Sequence, residues 1–293
     1  MAQQHEKYYV PASSPWPIIG AIALGLIAFG AGHTVIDMKN EATDGWGVNV
    51  LLGGIAVLLV MLFGWFRDQI NESMAGMYSN QLGHSYRQGM SWFIFSEIMF
   101  FAAFFGALFY ARVIAVEWLG GAGNNAMTNE VLWPAFEAHW PLTQTPGGTE
   151  SGAMGWMGLP LYNTIILIVS SVTCHFAHVG LEKNNRKQLT IWLAITIILG
   201  CIFLYLQVAE YIHAYEELGL TLDSGIYGNT FYLLTGFHGM HVTLGTLMLI
   251  IMFLRVIKGH FTPEKHFAFQ ATSWYWHFVD VVWVCLFIFV YIL

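Results

Sequence analysis

The sequence predicts an all-α integral membrane protein with seven transmembrane helices. Of its 293 residues, 56% are hydrophobic and only 10% are charged, whereas a soluble domain carries about 25% charged residues. The hydrophobic residues also form blocks of the length that a helix needs to cross a bilayer, about 20 residues. These blocks predict spans at residues 17–36, 47–66, 91–116, 160–180, 190–212, 228–257 and 272–293.

The lysines and arginines support this count and predict an orientation. If the N-terminus lies inside the cell, nine of the eleven fall on inside segments, and only Lys39 and Arg112 fall outside. Inside loops of membrane proteins carry an excess of these residues, so we predict an inside N-terminus and an outside C-terminus. The first residues resemble neither a signal peptide nor a mitochondrial transit peptide, which favours a bacterial inner membrane.

The same pattern predicts how the chain is organised. A cytoplasmic tail at 1–16 precedes a two-helix bundle at 17–66 and a cytoplasmic connector at 67–90. A five-helix bundle follows at 91–293 and carries a periplasmic insertion at 117–159, which is rich in Gly, Pro and Trp. No internal repeat is visible, which argues against a stand-alone transporter built from inverted repeats.

Net charge, cysteines and glycines limit the partners of the chain and indicate how its helices pack. The net charge of −7 disfavours a nucleic-acid partner. The three cysteines lie inside apolar blocks and are predicted to be small buried hydrophobes. Glycines inside the spans are predicted to allow close helix packing: Gly20, Gly25, Gly30, Gly236, Gly239 and Gly245.

Glu97 is the sharpest functional candidate within the predicted spans. It sits in the segment SWFIFSEIMFFAAFF, where the sequence shows no obvious partner for an ionised carboxylate. Charged groups in a membrane are costly and mark functional sites, so we predict a carboxyl that is neutral at rest. Two interpretations stay open: a proton-active or lipid-gating group, or a protonated acid that only holds a neighbouring helix.

Histidines form further candidates in the later spans. His277 and Asp280 are three residues apart on one helix face, which fits a structural pair, an interface or a proton relay. His238 and His241 have the same spacing and are predicted to pack helices, with proton transfer as the alternative. No Cys-x-x-Cys, Cys-x-x-Cys-His or His-Glu-x-x-His motif is present, so the chain is predicted to hold no metal or haem.

Two basic clusters stand at predicted membrane interfaces. Arg67 follows Trp65 and Phe66, while Arg255 and Lys258 lie at the inside end of the sixth span. Such residues anchor a protein at the interface or bind phospholipid head groups between helices, and both interpretations remain open.

Six segments, in the same order along the chain, resemble those of a known family. They cover residues 16–293 apart from the 117–159 insertion, and the family is subunit III of the haem-copper cytochrome c oxidases. A quinol-oxidase relative usually lacks the first two helices, so their presence favours the cytochrome c type. The segments are FGWFRDQINES, YRQGMSWFIFSEIMFF, LYNTIILIVSS, LQVAEY, GNTFYLLTGFHGMHV and WYWHFVDVVW.

This resemblance implies helices 1 and 2 splayed from a bundle of helices 3 to 7, with structural phospholipids in the cleft. It implies direct binding to subunit I, and contact with subunit II and cytochrome c through the complex. Haem a and copper then belong to partner subunits, and this chain holds no catalytic residue. The complex oxidises cytochrome c, reduces dioxygen to water and pumps protons, while this subunit stabilises the catalytic one and supports proton uptake.

The resemblance also implies roles for single residues. Glu97 matches a carboxyl in the cleft that reacts with carbodiimides. His5 is the only histidine of a tail that has several in many bacterial relatives, where they are thought to help proton entry. Asn71 stands where the family often has a second arginine. Lipid head-group contacts are implied for Arg67, Glu72, Arg255, Lys258 and His260.

Overall fold

The computed structural model describes residues 9–10, 13–40 and 45–293, and the long elements within them are helices. Seven of these helices are long and apolar enough to cross a membrane, which confirms the predicted all-α fold with seven spans. The α-helices of the described residues are α1 Trp16–Lys39, α2 Gly47–Met74, α3 Asn80–Phe109, α4 Val116–Leu119, α5 Ala126–Leu132, α6 Leu159–Glu182, α7 Arg186–Glu216, α8 Ile226–Ile257 and α9 Phe267–Leu286.

Several helices extend beyond the predicted spans. Helix α2 continues past residue 66 to Met74, and α3 begins at Asn80 instead of residue 91. The added residues include Gln, Glu, Met and Arg, which favour a helix outside lipid as well as inside it. Helix α3 continues into a π-helical segment at Tyr110–Ala115, and α9 continues into another at Phe287–Ile292. An apolar block therefore marks only the part of a helix that suits lipid.

The chain forms two compact units, Met1–Tyr86 and Arg87–Leu293. Within the first unit, α1 and α2 pack so closely that a Cβ added at Gly54 would lie 2.8 Å from the Ile27 backbone nitrogen. Without side chains, glycines let two helix backbones approach each other. The predicted packing role holds for Gly30, which faces the backbone of Leu51.

Not every predicted packing glycine faces a neighbour. A Cβ at Gly25 or Gly239 would have no atom within 4 Å among the described residues, so the packing prediction is wrong for both. Gly245, by contrast, lies against the ring of Trp276.

Within the second unit, two indole hydrogen bonds join α6 and α9. The Nε1–H of Trp283 donates to Oγ1 of Thr164 at 3.0 Å, and that of Trp276 donates to Oγ of Ser170 at 3.0 Å. Both indoles are fully buried, and a buried indole N–H needs an acceptor. We call these four residues the α6–α9 ladder, and they hold the two helices in one register.

Candidate functional site

Glu97 of α3 is hydrogen-bonded to His241 of α8. The Oε2 atom of Glu97 lies 2.9 Å from Nε2 of His241. The other ring nitrogen, Nδ1, lies 2.7 Å from the carbonyl oxygen of Phe237, one turn earlier on α8. No partner for Glu97 is obvious in the sequence because the partner lies 144 residues further along the chain, on a neighbouring helix as one of the two interpretations expected.

These two contacts determine how many protons the pair shares. A carbonyl oxygen can only accept, so Nδ1 of His241 carries a hydrogen. The 2.9 Å contact between Nε2 and Oε2 then needs one hydrogen between them. Either a protonated Glu97 donates to a neutral imidazole, or an imidazolium donates to a carboxylate. Both arrangements have zero net charge, so the pair can move a proton across this contact without adding charge to an apolar region.

Aromatic rings enclose the histidine end of this pair. The centroid of the His241 ring lies 5.0 Å from that of Phe101 and stacks against Tyr275 at 6.3 Å. The His241 side chain is 6% exposed and that of Glu97 is 22% exposed. The imidazole is thus held in place, while the carboxyl retains access to the surface of the unit.

His277 and Asp280 of α9 are neighbours but do not share a hydrogen bond. Their Nδ1 and Oδ2 atoms are 3.6 Å apart, whereas Nδ1 of His277 is 2.8 Å from Oγ of Ser171 on α6. The main partner of His277 is therefore a serine on another helix. The ring also borders an apolar groove of about 460 Å³ between α3 and α9, together with Ile98 and Phe105.

His238 lies in the interior of the second unit. Its ring is fully buried, its Nε2 is 3.1 Å from the carbonyl oxygen of Val279, and its centroid is 5.0 Å from Trp283. Since Nε2 faces a carbonyl, it donates, and the lone pair of the ring lies on Nδ1, which is buried and has no hydrogen-bond partner among the described residues. His5, the remaining proton-related candidate, lies outside the described residues.

The C-terminus of α8 positions one of the two basic clusters. Gly259 adopts φ +73°, and the amides of Gly259 and His260 donate to the carbonyls of Val256 and Arg255, both at 3.0 Å. This is the Schellman motif, which needs a left-handed residue just after the helix. The turn leaves Lys258 exposed.

The other members of this cluster are arranged differently. Arg255 is 8% exposed, with its guanidinium 4.5 Å from the centre of the Phe261 ring. Burial, and then the positive charges of Arg255 and Lys258, lower the pKa of His260. A histidine whose pKa is lowered stays neutral at pH 7, so Arg255 and Lys258 carry the charge of this cluster.

In the first unit, Arg67 and Glu72 lie near the C-terminus of α2. Arg67 is exposed. The hydroxyl of Tyr78 is within 3.1 Å of Oε2 of Glu72 and of both oxygens of Gln69, so its one hydrogen has three acceptors. Burial raises the pKa of Tyr78 above its ordinary value, which keeps the hydroxyl a donor. Glu72 is thereby fixed to the segment that connects α2 to α3.

Comparison with known proteins extends these observations. The sequence model of the family described as cytochrome c oxidase subunit III matches residues 5–293. The chain belongs to the cytochrome c oxidase subunit III family. It is therefore a multi-pass membrane protein and a member of an oxidase complex.

Full-length relatives agree with this assignment. The protein named cytochrome c oxidase subunit 3 of Dugong dugon is 38% identical over 292 residues, which cover 99% of this chain and 98% of the relative. The proteins of the same name from Pongo abelii and Bos taurus are 37% and 36% identical over the same shares of both chains. The similarity to the subunit III family thus extends over nearly the whole chain.

One buried carboxyl of this family member was missed by the sequence reasoning. Glu210 on α7 is fully buried, and its Oε1 accepts a hydrogen bond of 2.6 Å from the hydroxyl of Tyr291. Gln207, one turn earlier, is 5% exposed. The signal was available, because Glu210 is an acidic residue inside the apolar block 190–212.

Proposed function

We propose that the chain is a non-redox accessory subunit of a proton-pumping cytochrome c oxidase, which passes electrons from cytochrome c to dioxygen. In this proposal it stabilises the catalytic subunit, holds phospholipids and supports proton uptake. The observation that carries the proposal is the Glu97–His241 pair in a chain of the subunit III family. The pair can hold and move one proton, but neither side chain can supply electrons to oxygen.

The positions of the redox centres follow from the same proposal. Haem a and copper belong to partner subunits, with subunit I bound directly, and subunit II and cytochrome c reached through the complex. The ring nitrogens of His241 both have partners, and the Nε2 of His238 donates to a carbonyl. The two partners of His241 suit helix packing and proton transfer better than iron or copper ligation.

Copurification tests this function. An affinity-tagged chain should bring down a haem protein that oxidises cytochrome c and consumes oxygen. The same chain expressed without its partners should show no Soret band and no stoichiometric copper. A one-to-one haem or copper content in the isolated chain would contradict the non-redox role, and a tagged preparation without any haem protein would contradict the accessory role.

We further propose that phospholipid head groups bind at the two basic clusters, Arg67 with Glu72 and Arg255 with Lys258 and His260. Exposed cations and neighbouring aromatic rings support this assignment. A cation near an anionic membrane surface contributes about 1 kcal/mol of attraction, which is roughly a fivefold change in affinity. In the second cluster, Lys258 is the exposed cation and Arg255 the buried one.

Lipid analysis of purified variants tests the two clusters. Changing both Arg67 and Lys258 to Gln should lower the anionic phospholipid that copurifies, as measured by mass spectrometry. Lys187→Gln is the matched control, because it removes an exposed cation that lies outside both clusters. An unchanged lipid content in the double variant, or an equal loss in the control, would argue against head-group binding through these cations.

The orientation is also part of the proposal. The chain lies in a bacterial inner membrane, with the tail 1–16 and the connector 67–90 in the cytoplasm and the insertion 117–159 in the periplasm. The distribution of lysines and arginines supports this assignment.

Labelling of intact cells with an impermeant thiol reagent tests the orientation. Thr149→Cys should react and Lys183→Cys should not, because both residues are exposed but are expected on opposite sides. Reaction of Lys183→Cys alone would invert the topology. The background should carry serine in place of Cys174, Cys201 and Cys285.

A further inference from the structure

Three metal-ligating side chains meet where α6 ends and α9 begins. His178 and Glu182 lie one turn apart on α6, and His266 immediately precedes α9. One ligand atom from each residue lies within 4.8 Å of the other two. We propose that His178, Glu182 and His266 form a binding site for a divalent transition-metal ion of the Zn²⁺ class. This site differs from the sequence-based prediction that the chain holds no metal.

The state of His178 supports a ligand role. Its Nε2 atom is buried but has no hydrogen-bond partner among the described residues, and it lies 3.8 Å from Oε1 of Glu182. An unsatisfied buried polar atom costs about 1–3 kcal/mol, so a buried nitrogen without a partner beside two other metal-ligating side chains calls for an explanation. A metal ion bound to this lone pair would remove that cost.

His266 keeps one ring nitrogen available for a metal. Its Nδ1 atom is 3.2 Å from the carbonyl oxygen of Thr262. Because a carbonyl only accepts, Nδ1 carries the hydrogen, and Nε2 keeps its lone pair. Metal-bound histidines commonly donate their other N–H to a carbonyl in this way. The rings of His178 and His266 are 5.7 Å apart with an interplanar angle of 72°, so they approach each other edge to face.

The surrounding helices hold the two histidines in position. The α6–α9 ladder lies earlier on α6, and the thiol of Cys174, one turn before His178, is 3.7 Å from Oγ of Ser273 on α9. Glu182, by contrast, has a side chain that is 59% exposed and is free to rotate. Ligand atoms around tetrahedral Zn²⁺ are about 3.4 Å apart, given bonds of about 2.0–2.1 Å. The three ligand atoms, which now lie within 4.8 Å of one another, would reach that spacing if Glu182 rotated towards the histidines and the two imidazole rings adjusted towards each other.

The ligand set selects the class of metal. Two imidazoles and one carboxylate suit Zn²⁺ and similar ions, whereas Ca²⁺ and Mg²⁺ prefer oxygen ligands. Three protein ligands leave one position for water. Lys183 and Lys265 are neighbours in sequence and repel a cation, so the site should bind more weakly than a buried structural zinc site. A bound ion would link the end of α6 to the start of α9.

Equilibrium dialysis against Zn²⁺ alone tests the proposal. The full-length chain should be purified in detergent with a tag that contains no histidine, and its zinc content measured by mass spectrometry. We expect one Zn²⁺ per chain, with affinity lowered about tenfold or more in His178→Gln and His266→Gln. Glu182→Gln should also weaken binding, and it changes an exposed side chain that the fold does not need.

His213→Gln is the matched control. His213 and Glu217 form another pair one turn apart on a helix end, with Nδ1 and Oε2 only 3.1 Å apart, but they are not part of a group of three ligands in the described residues. This variant should bind Zn²⁺ like the wild type, and Zn²⁺ should raise the unfolding temperature of both. No bound Zn²⁺ in the wild type, or equal binding by His213→Gln and Glu182→Gln, would overturn the proposal, whether or not the chain is an oxidase subunit.

Discussion

Replacing Glu97 with alanine should leave the haem content and the initial oxygen consumption of the complex largely intact, but should shorten its lifetime during turnover. The variant removes the partner of the His241 Nε2 atom and leaves that nitrogen in a ring of aromatic side chains. It also removes the group that shares a proton with His241, so proton uptake should slow. The measurement is oxygen consumption by the purified complex over many turnovers, with proton uptake followed in the same preparation.

Glu97→Gln separates packing from proton transfer. A glutamine amide has nearly the same size and can donate to Nε2 of His241, but it cannot release a proton. If the proton role is right, Glu97→Gln should inactivate during turnover much as Glu97→Ala does. A glutamine variant that behaves as wild type while the alanine variant fails would make Glu97 structural. Wild-type behaviour of both variants would refute any role in sustaining turnover.

Alanine at Gly30 or Gly54 should destabilise the first unit strongly. A Cβ at Gly54 would lie 2.8 Å from the backbone nitrogen of Ile27, and one at Gly30 would collide with the backbone of Leu51. Backbone atoms cannot rotate away, so α1 and α2 would have to separate. Overpacking of this kind costs about 1–3 kcal/mol per site, and the double variant should lower the unfolding temperature clearly, as measured by tryptophan fluorescence.

The chain offers close controls for this experiment. Gly32 lies on α1 and Gly53 on α2, and a Cβ at either position would have no atom of the described residues within 4 Å. Alanine should be neutral there, or stabilising by up to about 1 kcal/mol, because it favours a helix more than glycine does. Equal unfolding temperatures for Gly53→Ala and Gly54→Ala would show that close backbone packing does not hold α1 against α2.

The spans could be predicted from the sequence because a helix that crosses lipid needs a continuous block of mostly apolar residues. The pairing of helices could not be predicted, because it depends on residues far apart in the chain. Glu97 and His241 are 144 positions apart, and nothing local to either residue indicates the other. The histidine spacing predicted a shared face for His277 and Asp280, but not that Ser171 on α6 would take the hydrogen bond.

The glycines show a second reason for the limits of prediction. Gly20, Gly25 and Gly30 look equivalent in sequence, yet five residues turn an α-helix by about 140° beyond a full circle. Neighbours in this series therefore face different directions. Only the position of α2 decides that Gly30 is in contact and that Gly25 is not.

The α6–α9 ladder has a consequence for the order of membrane insertion. During synthesis, α6 enters the bilayer well before α9 has been made. The hydroxyls of Thr164 and Ser170 are therefore in the membrane before the indoles that donate to them. Thr164 leaves no donor unsatisfied in the meantime, because its hydroxyl donates to the carbonyl of Pro160 at 2.8 Å and only accepts from Trp283. The indole N–H of Trp283 has no such substitute on its own helix. Helix α9 should therefore be the helix that still lacks hydrogen-bond partners after insertion. Its packing against α6 should be the step that fixes the arrangement of the bundle.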